Sequence, residues 1–192
     1  MTFRCLRSDR GQAFPMYAWM MGGLLFAVIA FFAIGQAGAR RNETQGAADA
    51  AALAAAQTAR DELASGWDLS LLKREDWERL MEGGAFDSAN SCAVAGTFAD
   101  ANGAALTSCG VGAVFSVRVQ ANKGIGNPKV TDVRATAGAS AEIKPRCEIA
   151  TWDDPKKPFE ITCKGRLISL DPSHLDPWRT LAKMLFDVRL VD

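Results

Sequence analysis

Hydrophobic and polar positions divide the chain into three regimes. In the first, Phe14 to Gly35, 22 consecutive positions carry no charge. A helix of that length rises roughly 33 Å, against about 30 Å for a bilayer hydrocarbon core. Pro15 falls in the first turn, where its missing N–H is harmless. Tyr17 and Trp19 stand near one end, where amphipathic rings favour the membrane interface. Residues 14–35 are therefore expected to form a transmembrane helix, preceded by a basic cytoplasmic tail at 1–13.

The second regime, residues 36–66, is dominated by alanine and strongly favours helix. Asn42 or Thr44 could cap a new start, or the helix could continue from the apolar run, with Gly46 its weak point. Leu53 and Leu63 are its large apolar residues, too few to build a core unaided. A solvated spacer is one reading. The preferred one is a packed helix that needs a partner, with Ala47, Ala51, Ala54 and Ala55 as the association surface, because small side chains let another backbone approach closely.

The third regime, residues 67–192, mixes periods. Around 67–82, Leu72, Trp77, Leu80 and Met81 share a helical face that Gly83-Gly84 terminates. The following Gly-, Ala- and Ser-rich stretch has poor periodicity and too little apolar bulk to pack by itself. From Val111 the period becomes two: Val111, Ala113, Phe115, Val117 and Val119 alternate with Val114, Ser116, Arg118 and Gln120, a strand. "NKGIGNP" reads as a loop, and its GxG as a turn rather than a phosphate cradle. Strand-like runs follow at Lys129–Ala150 and Pro158–Leu170, separated by the turn "TWDDPKKP". Asp176 and Pro177 open a last helix with Trp178, Leu181, Leu185 and Val188 at helical spacing, although "DVRLVD" reads equally as a closing strand. The pattern predicts an α+β protein whose 67–192 portion is an exported domain built on an antiparallel sheet.

Charge and cysteine sharpen this picture. The chain is neutral, with 22 basic and 22 acidic residues. Residues 1–41 hold five arginines against Asp9, so the remainder is net acidic. An acidic domain lacks the basic face that phosphate contact needs, which excludes nucleic acid as a partner. Cys5 precedes the apolar run, whereas Cys92, Cys109, Cys147 and Cys163 follow it. Four cysteines on one side of a membrane segment point to two disulfides in an oxidising compartment, against the alternative of four buried thiols. Three pairings exist; the sequence-local one, Cys92–Cys109 and Cys147–Cys163, is preferred. This distribution also sets the orientation, N-terminus inside and domain outside, where the flanking arginines partly cancel. No CxxC is present and His174 is the single histidine, so neither a zinc site nor another cofactor is expected.

A cleaved signal peptide competes with the anchor. Ala37-Gly38-Ala39 fits the small-x-small cleavage pattern, but the apolar run exceeds the roughly 7–15 residues of a usual signal core. Catalytic readings are weaker still. His174 lies near Asp171, Ser173 and Asp176 without a nucleophile elbow. Asp153-Asp154 lacks further carboxylates at calcium-loop spacing. Lys156-Lys157 is a solvated tip, while Trp152 and Trp178 suit core packing. No catalytic residue is assigned.

"RGQAFPMYAWMMGGLLFAVIAFFAIGQ" followed by "RRNETQGAADAAALAAAQTARDE" resembles the N-terminal region of bacterial TadE/TadG-like proteins of the Flp/Tad (tight adherence) pilus-assembly system. The resemblance covers roughly residues 10–62. It is carried by Arg10-Gly11-Gln12 and by Gln45 with Ala47-Ala48-Asp49-Ala50-Ala51-Ala52-Leu53-Ala54. "IKPRCE" and "LFDVRLVD" look like the actinobacterial-type branch. The resemblance implies a pilin-like chain without enzymatic activity: a basic leader, a long helix partly in the membrane and an exported domain. Its implied partners are the cell membrane and other pilus-assembly or pilin subunits, further copies of itself among them. It also marks Gly11 and Gln12 as a processing site. Related pseudopilins place a glutamate at the fifth mature position, whereas counting from Gln12 reaches Met16. That glutamate neutralises a neighbour's new amine inside the membrane, where an unpaired charge is expensive. Met16 cannot do this, which favours an unprocessed anchor over a bulk filament subunit.

Overall fold

The computed structural model describes residues 13–63, 73–81, 90–112, 114–124, 133–151, 158–171 and 178–191. One helix, α1 (Ala13–Glu62), covers the apolar run and the alanine-rich stretch without a break. The chain forms two units, one ending at Arg40 and the other beginning at Arg41.

The unit from Arg41 onward is α+β. After the second part of α1 come α2 (Arg74–Met81), α3 (Ser91–Ala101), β1 (Ala104–Gly110), β2 (Val114–Ala121), β3 (Thr136–Pro145), β4 (Cys147–Thr151), β5 (Phe159–Cys163), β6 (Arg166–Leu170), α4 (Trp178–Leu185) and β7 (Phe186–Val191). Two antiparallel sheets result, in the orders β1-β2-β3-β7 and β4-β5-β6. In β2, Phe115, Val117 and Val119 face inward while Val114, Ser116 and Arg118 are exposed, so period-two patterning decides which face is covered. The core joins these residues to Ala141 and Ile143 of β3, Phe186 of β7, and Ala47, Ala51, Ala55 and Ala59 of α1. On the other sheet, Phe159 and Ile161 are buried, and Trp77 of α2 packs edge-on against Phe159 at 5.3 Å between ring centroids.

Both preferred disulfides are present. Cys92–Cys109 ties the first turn of α3 to β1, with Cα atoms 5.9 Å apart. Cys147–Cys163 joins directly opposed residues of β4 and β5, with Cα atoms 4.1 Å apart. Closing loops of this size stabilises the fold by about 3 kcal/mol each.

Four local expectations need correction. The stretch read as aperiodic contains α3 and β1; Ala95, Ala99 and Ala104 are buried there, and alanine packing leaves no large-residue period to see. Gly103, at φ +76, stops α3 in the left-handed conformation that only glycine adopts freely. The run Lys129–Ala150 is not one strand: β3 and β4 lie in different sheets and separate at Arg146, after Pro145, which cannot donate to a ladder. The run Pro158–Leu170 is a hairpin. Its loop, Lys164 at φ 49 and Gly165 at φ +77, has positive φ at both residues as the twist of a two-residue hairpin demands. Finally, β2 begins at Val114, leaving Val111 outside it and exposed.

At the C-terminal side, Leu181 and Leu185 are the buried stripe of α4, whereas Val188 belongs to β7, paired with Ile143. The closing-strand alternative is the one that forms. Around α2, Trp77 is buried, while Leu72 and Gly83-Gly84 lie outside the described residues.

Candidate functional site

Among the described residues, the open surfaces are the apolar part of α1 and the exposed faces of the unit from Arg41 onward. On the first, large apolar side chains are exposed all round the helix, from Phe14 (81 %) and Trp19 (84 %) to Phe31 (78 %) and Ile34 (74 %). A helix apolar on every side is one that hydrocarbon or other protein covers, and exposed apolar patches of this size mark interaction with a membrane or a partner. Its backbone hydrogen bonds are internal, as a spanning segment requires. By length and composition this is a helix able to cross a membrane.

Farther along α1 the picture inverts. Ala51 and Ala55 are fully buried, Ala47 is 1 % exposed and Ala54 5 %. Ala47, Ala51 and Ala55 pack in this chain's own core, and Ala54 is buried beside them. The packed-helix reading holds: these alanines share one core with Phe115, Val117 and Val119 of β2. Thr58, whose hydroxyl donates to the Ala54 carbonyl at 2.8 Å, is half-buried, and Gln57 is exposed.

Among the described residues, no group of three or more His, Cys, Asp or Glu side chains could hold a metal ion. Among the described residues, the carboxyl moved clearly from its ordinary pKa is Glu142, on the outward face of β3. Hydrogen bonding from Arg189 (2.7 Å), assisted by Lys144 (Nζ at 3.3 Å), holds it below the usual carboxylate range. This cluster laces β7 to β3, as does the Arg146–Asp187 ion pair, so its role is structural.

Several sequence-level candidates lie outside the described residues: Cys5, the processing pair Gly11 and Gln12, Trp152, Asp153-Asp154, Lys156-Lys157, Ser173, His174 and Asp176. Conversely, one feature went unread. A groove of about 600 Å³ runs along the end of β7, lined by Gln45, Asp49, Ser116, Arg118, Gly138 and Ser140 among others. Strand alternation alone puts Arg118 on the open face; its juxtaposition with Gly138 depends on a strand register that no local pattern encodes.

Residues 11–58 match the model of the Tad family, described as Flp pilus-assembly TadE/G-like. The match spans the apolar helix and most of the buried alanine stretch, and agrees with the resemblance drawn from Arg10 onward. No curated protein and no solved structure matches the chain.

Proposed function

We propose that this chain is a single-pass membrane component that assembles or anchors a Tad-type pilus or a related secretion apparatus. One observation carries the reading: the Flp pilus-assembly TadE/G-like match at 11–58 contains a helical stretch, residues 14–34, that is exposed and apolar on all sides. In this reading residues 1–13 stay in the cytoplasm, 14–35 cross the bilayer, the helix continues to Glu62, and 67–192 stand outside the cell. Two disulfides support the outward placement, since such bridges persist in oxidising compartments. The chain acts as a structural partner rather than an enzyme. Because the alanine face is buried, association with pilin or assembly subunits, or with further copies, falls to the membrane helix and the outer surface of the domain. Met16 at the fifth position after Gly11 favours an accessory anchor that keeps Gly11 and Gln12 joined.

A second reading is a disulfide-stapled binding or adhesion domain released after Ala39, where Ala37-Gly38-Ala39 fits the small-x-small cleavage pattern. Loss of the gene in its own host tests the first reading. Pilus production should fall, return with the full chain, and fail to return when 14–35 are replaced by a cleavable secretion signal. Full rescue by that secreted form would overturn the anchoring role.

A further inference from the structure

In the three-stranded sheet β6 is an edge strand. β5 pairs with one side of it, and among the described residues nothing pairs with the other. The register shows which backbone groups that edge presents. A two-residue loop, Lys164-Gly165, closes the hairpin, so Cys163 and Arg166 exchange both hydrogen bonds. Bonded and non-bonded pairs then alternate along the ladder, which makes Ile161–Ile168 and Phe159–Leu170 bonded pairs as well. On the other side of β5, Cys163 and Cys147 are left as a non-bonded pair. Their Cα separation of 4.1 Å agrees with the closer of the two antiparallel spacings. Leu167 and Ser169 therefore turn their N–H and C=O groups to the open edge.

Such an edge invites another strand unless a charge, a proline or a bulge blocks it, and the centre of β6 carries none of these. Leu167 is 66 % exposed, more than any other large apolar side chain described in the unit from Arg41 onward. Ile168 lies half-buried on the inward face, beside the buried Ile161. The ends of the strand differ in sign: Arg166 opens it and Asp171 follows it. Among the described residues Arg166 has no ion pair. A second β6 laid antiparallel brings the basic end of each copy to the acidic end of the other. A parallel one would set like charges together. The register follows from the same geometry, because Leu167 and Ser169 must meet groups that also point outward. Setting Ile168 on a two-fold axis pairs all of Arg166–Leu170 with its second copy. Leu167 then exchanges two hydrogen bonds with Ser169 of the other copy, and the axis repeats the pair. Ile168 meets its own equivalent, which extends the inward apolar face across the junction. The two Leu167 residues stand diagonally across the axis, about 7–8 Å apart, a distance that long side chains bridge.

We infer that β6 is the contact through which two copies of this chain associate, edge to edge and antiparallel, with Ile168 on the two-fold axis. The two three-stranded sheets become one continuous sheet. The inference concerns the unit from Arg41 onward and does not rest on the anchoring role.

Sedimentation velocity of the full chain in detergent, with oxidative crosslinking in a Cys5→Ser background, is the test. Wild type is expected to form a dimer whose population rises with concentration. Leu167→Pro should weaken that dimer about tenfold or more, because the axis uses the lost N–H twice. The hydrogen bonds within the hairpin do not involve that N–H and remain. Leu167→Lys, a charge of the kind that edge strands use to refuse partners, should weaken it as well, and it decides the matter if the proline variant misfolds. Ile168→Cys should yield an intermolecular disulfide, since the equivalent residues stand at the closer antiparallel spacing. Arg166→Cys should not, because its equivalents lie roughly 13 Å apart along the strands. A chain that stays monomeric would assign the edge to a strand of a different protein and overturn the proposal. So would a dimer that both Leu167 variants leave unchanged, or one in which Ile168→Cys forms no crosslink.

Discussion

Ala51 has no accessible surface, and the same is true of Ala48, Ala52, Ala55, Ala56 and Ala59. A run of methyl groups contributes little apolar area per residue, but these alanines share the core with the sheet residues, and packed interiors tolerate added volume poorly. Ala51→Leu is therefore expected to lower the stability of the domain by about 1–3 kcal/mol. The exposed Gln57→Leu should change it by no more than about 0.5 kcal/mol. Denaturant unfolding of the full chain in detergent, followed by tryptophan fluorescence, separates the two; an unchanged midpoint for Ala51→Leu would mean that this face is not packed. Glu142 supplies a second test at the same scale. Its folded pKa lies below its unfolded one, so its contribution is complete above the unfolded value and is lost as pH falls through the folded value. Glu142→Gln should consequently be less stable than wild type near neutrality, and the gap should close on acidification. A gap constant with pH would show that the carboxylate's contacts with Arg189 and Lys144 do not stabilise β7.

At the scale of elements, hairpin β5–β6 shows what turn chemistry decides. Lys164 sits at φ 49, a conformation costing an L residue about 1–2 kcal/mol, whereas Gly165 at φ +77 pays no such penalty. Lys164→Asn should raise stability by about 0.5–1 kcal/mol and Gly165→Ala should lower it by about 1–2 kcal/mol. Thermal denaturation checks both, and shifts of the same sign would contradict the turn assignment. This hairpin also explains where sequence reading stopped. An Asn-Gly or Asp-Gly loop announces a turn, but Lys164-Gly165 does not, so one strand was read where two form. Helix α1 was legible because its charge-free run and its alanine run each exceed the length of any competing element. Strand β2 was legible because Phe115, Val117 and Val119 alternate with polar partners. The disulfide pairs were legible because each closes a short loop. Helix α3 was hidden, since Ala95 and Ala99 bury a face without hydropathic contrast. The groove at Gly138 was hidden too, for it arises from the register of β2, β3 and β7, which only the assembled sheet defines.

The whole molecule joins two surfaces of different character in one chain: a helix apolar on every side, and a domain whose four cysteines are paired. Reduction of Cys92–Cys109 and Cys147–Cys163 should destabilise that domain by several kcal/mol, about 2–5 for each bridge, while leaving the chain in the membrane fraction. Alkylation of all four cysteines in the native, unreduced protein would contradict the exported placement. The central claim is that the apolar helix is kept, so that the domain remains tethered as part of a pilus-assembly complex. Intact mass of the native protein tests it most directly. The predicted result is a chain recovered from membranes whose mass still includes residues 12–41 in one polypeptide with the domain. Recovery as a soluble extracellular species beginning at Arg40 would contradict it.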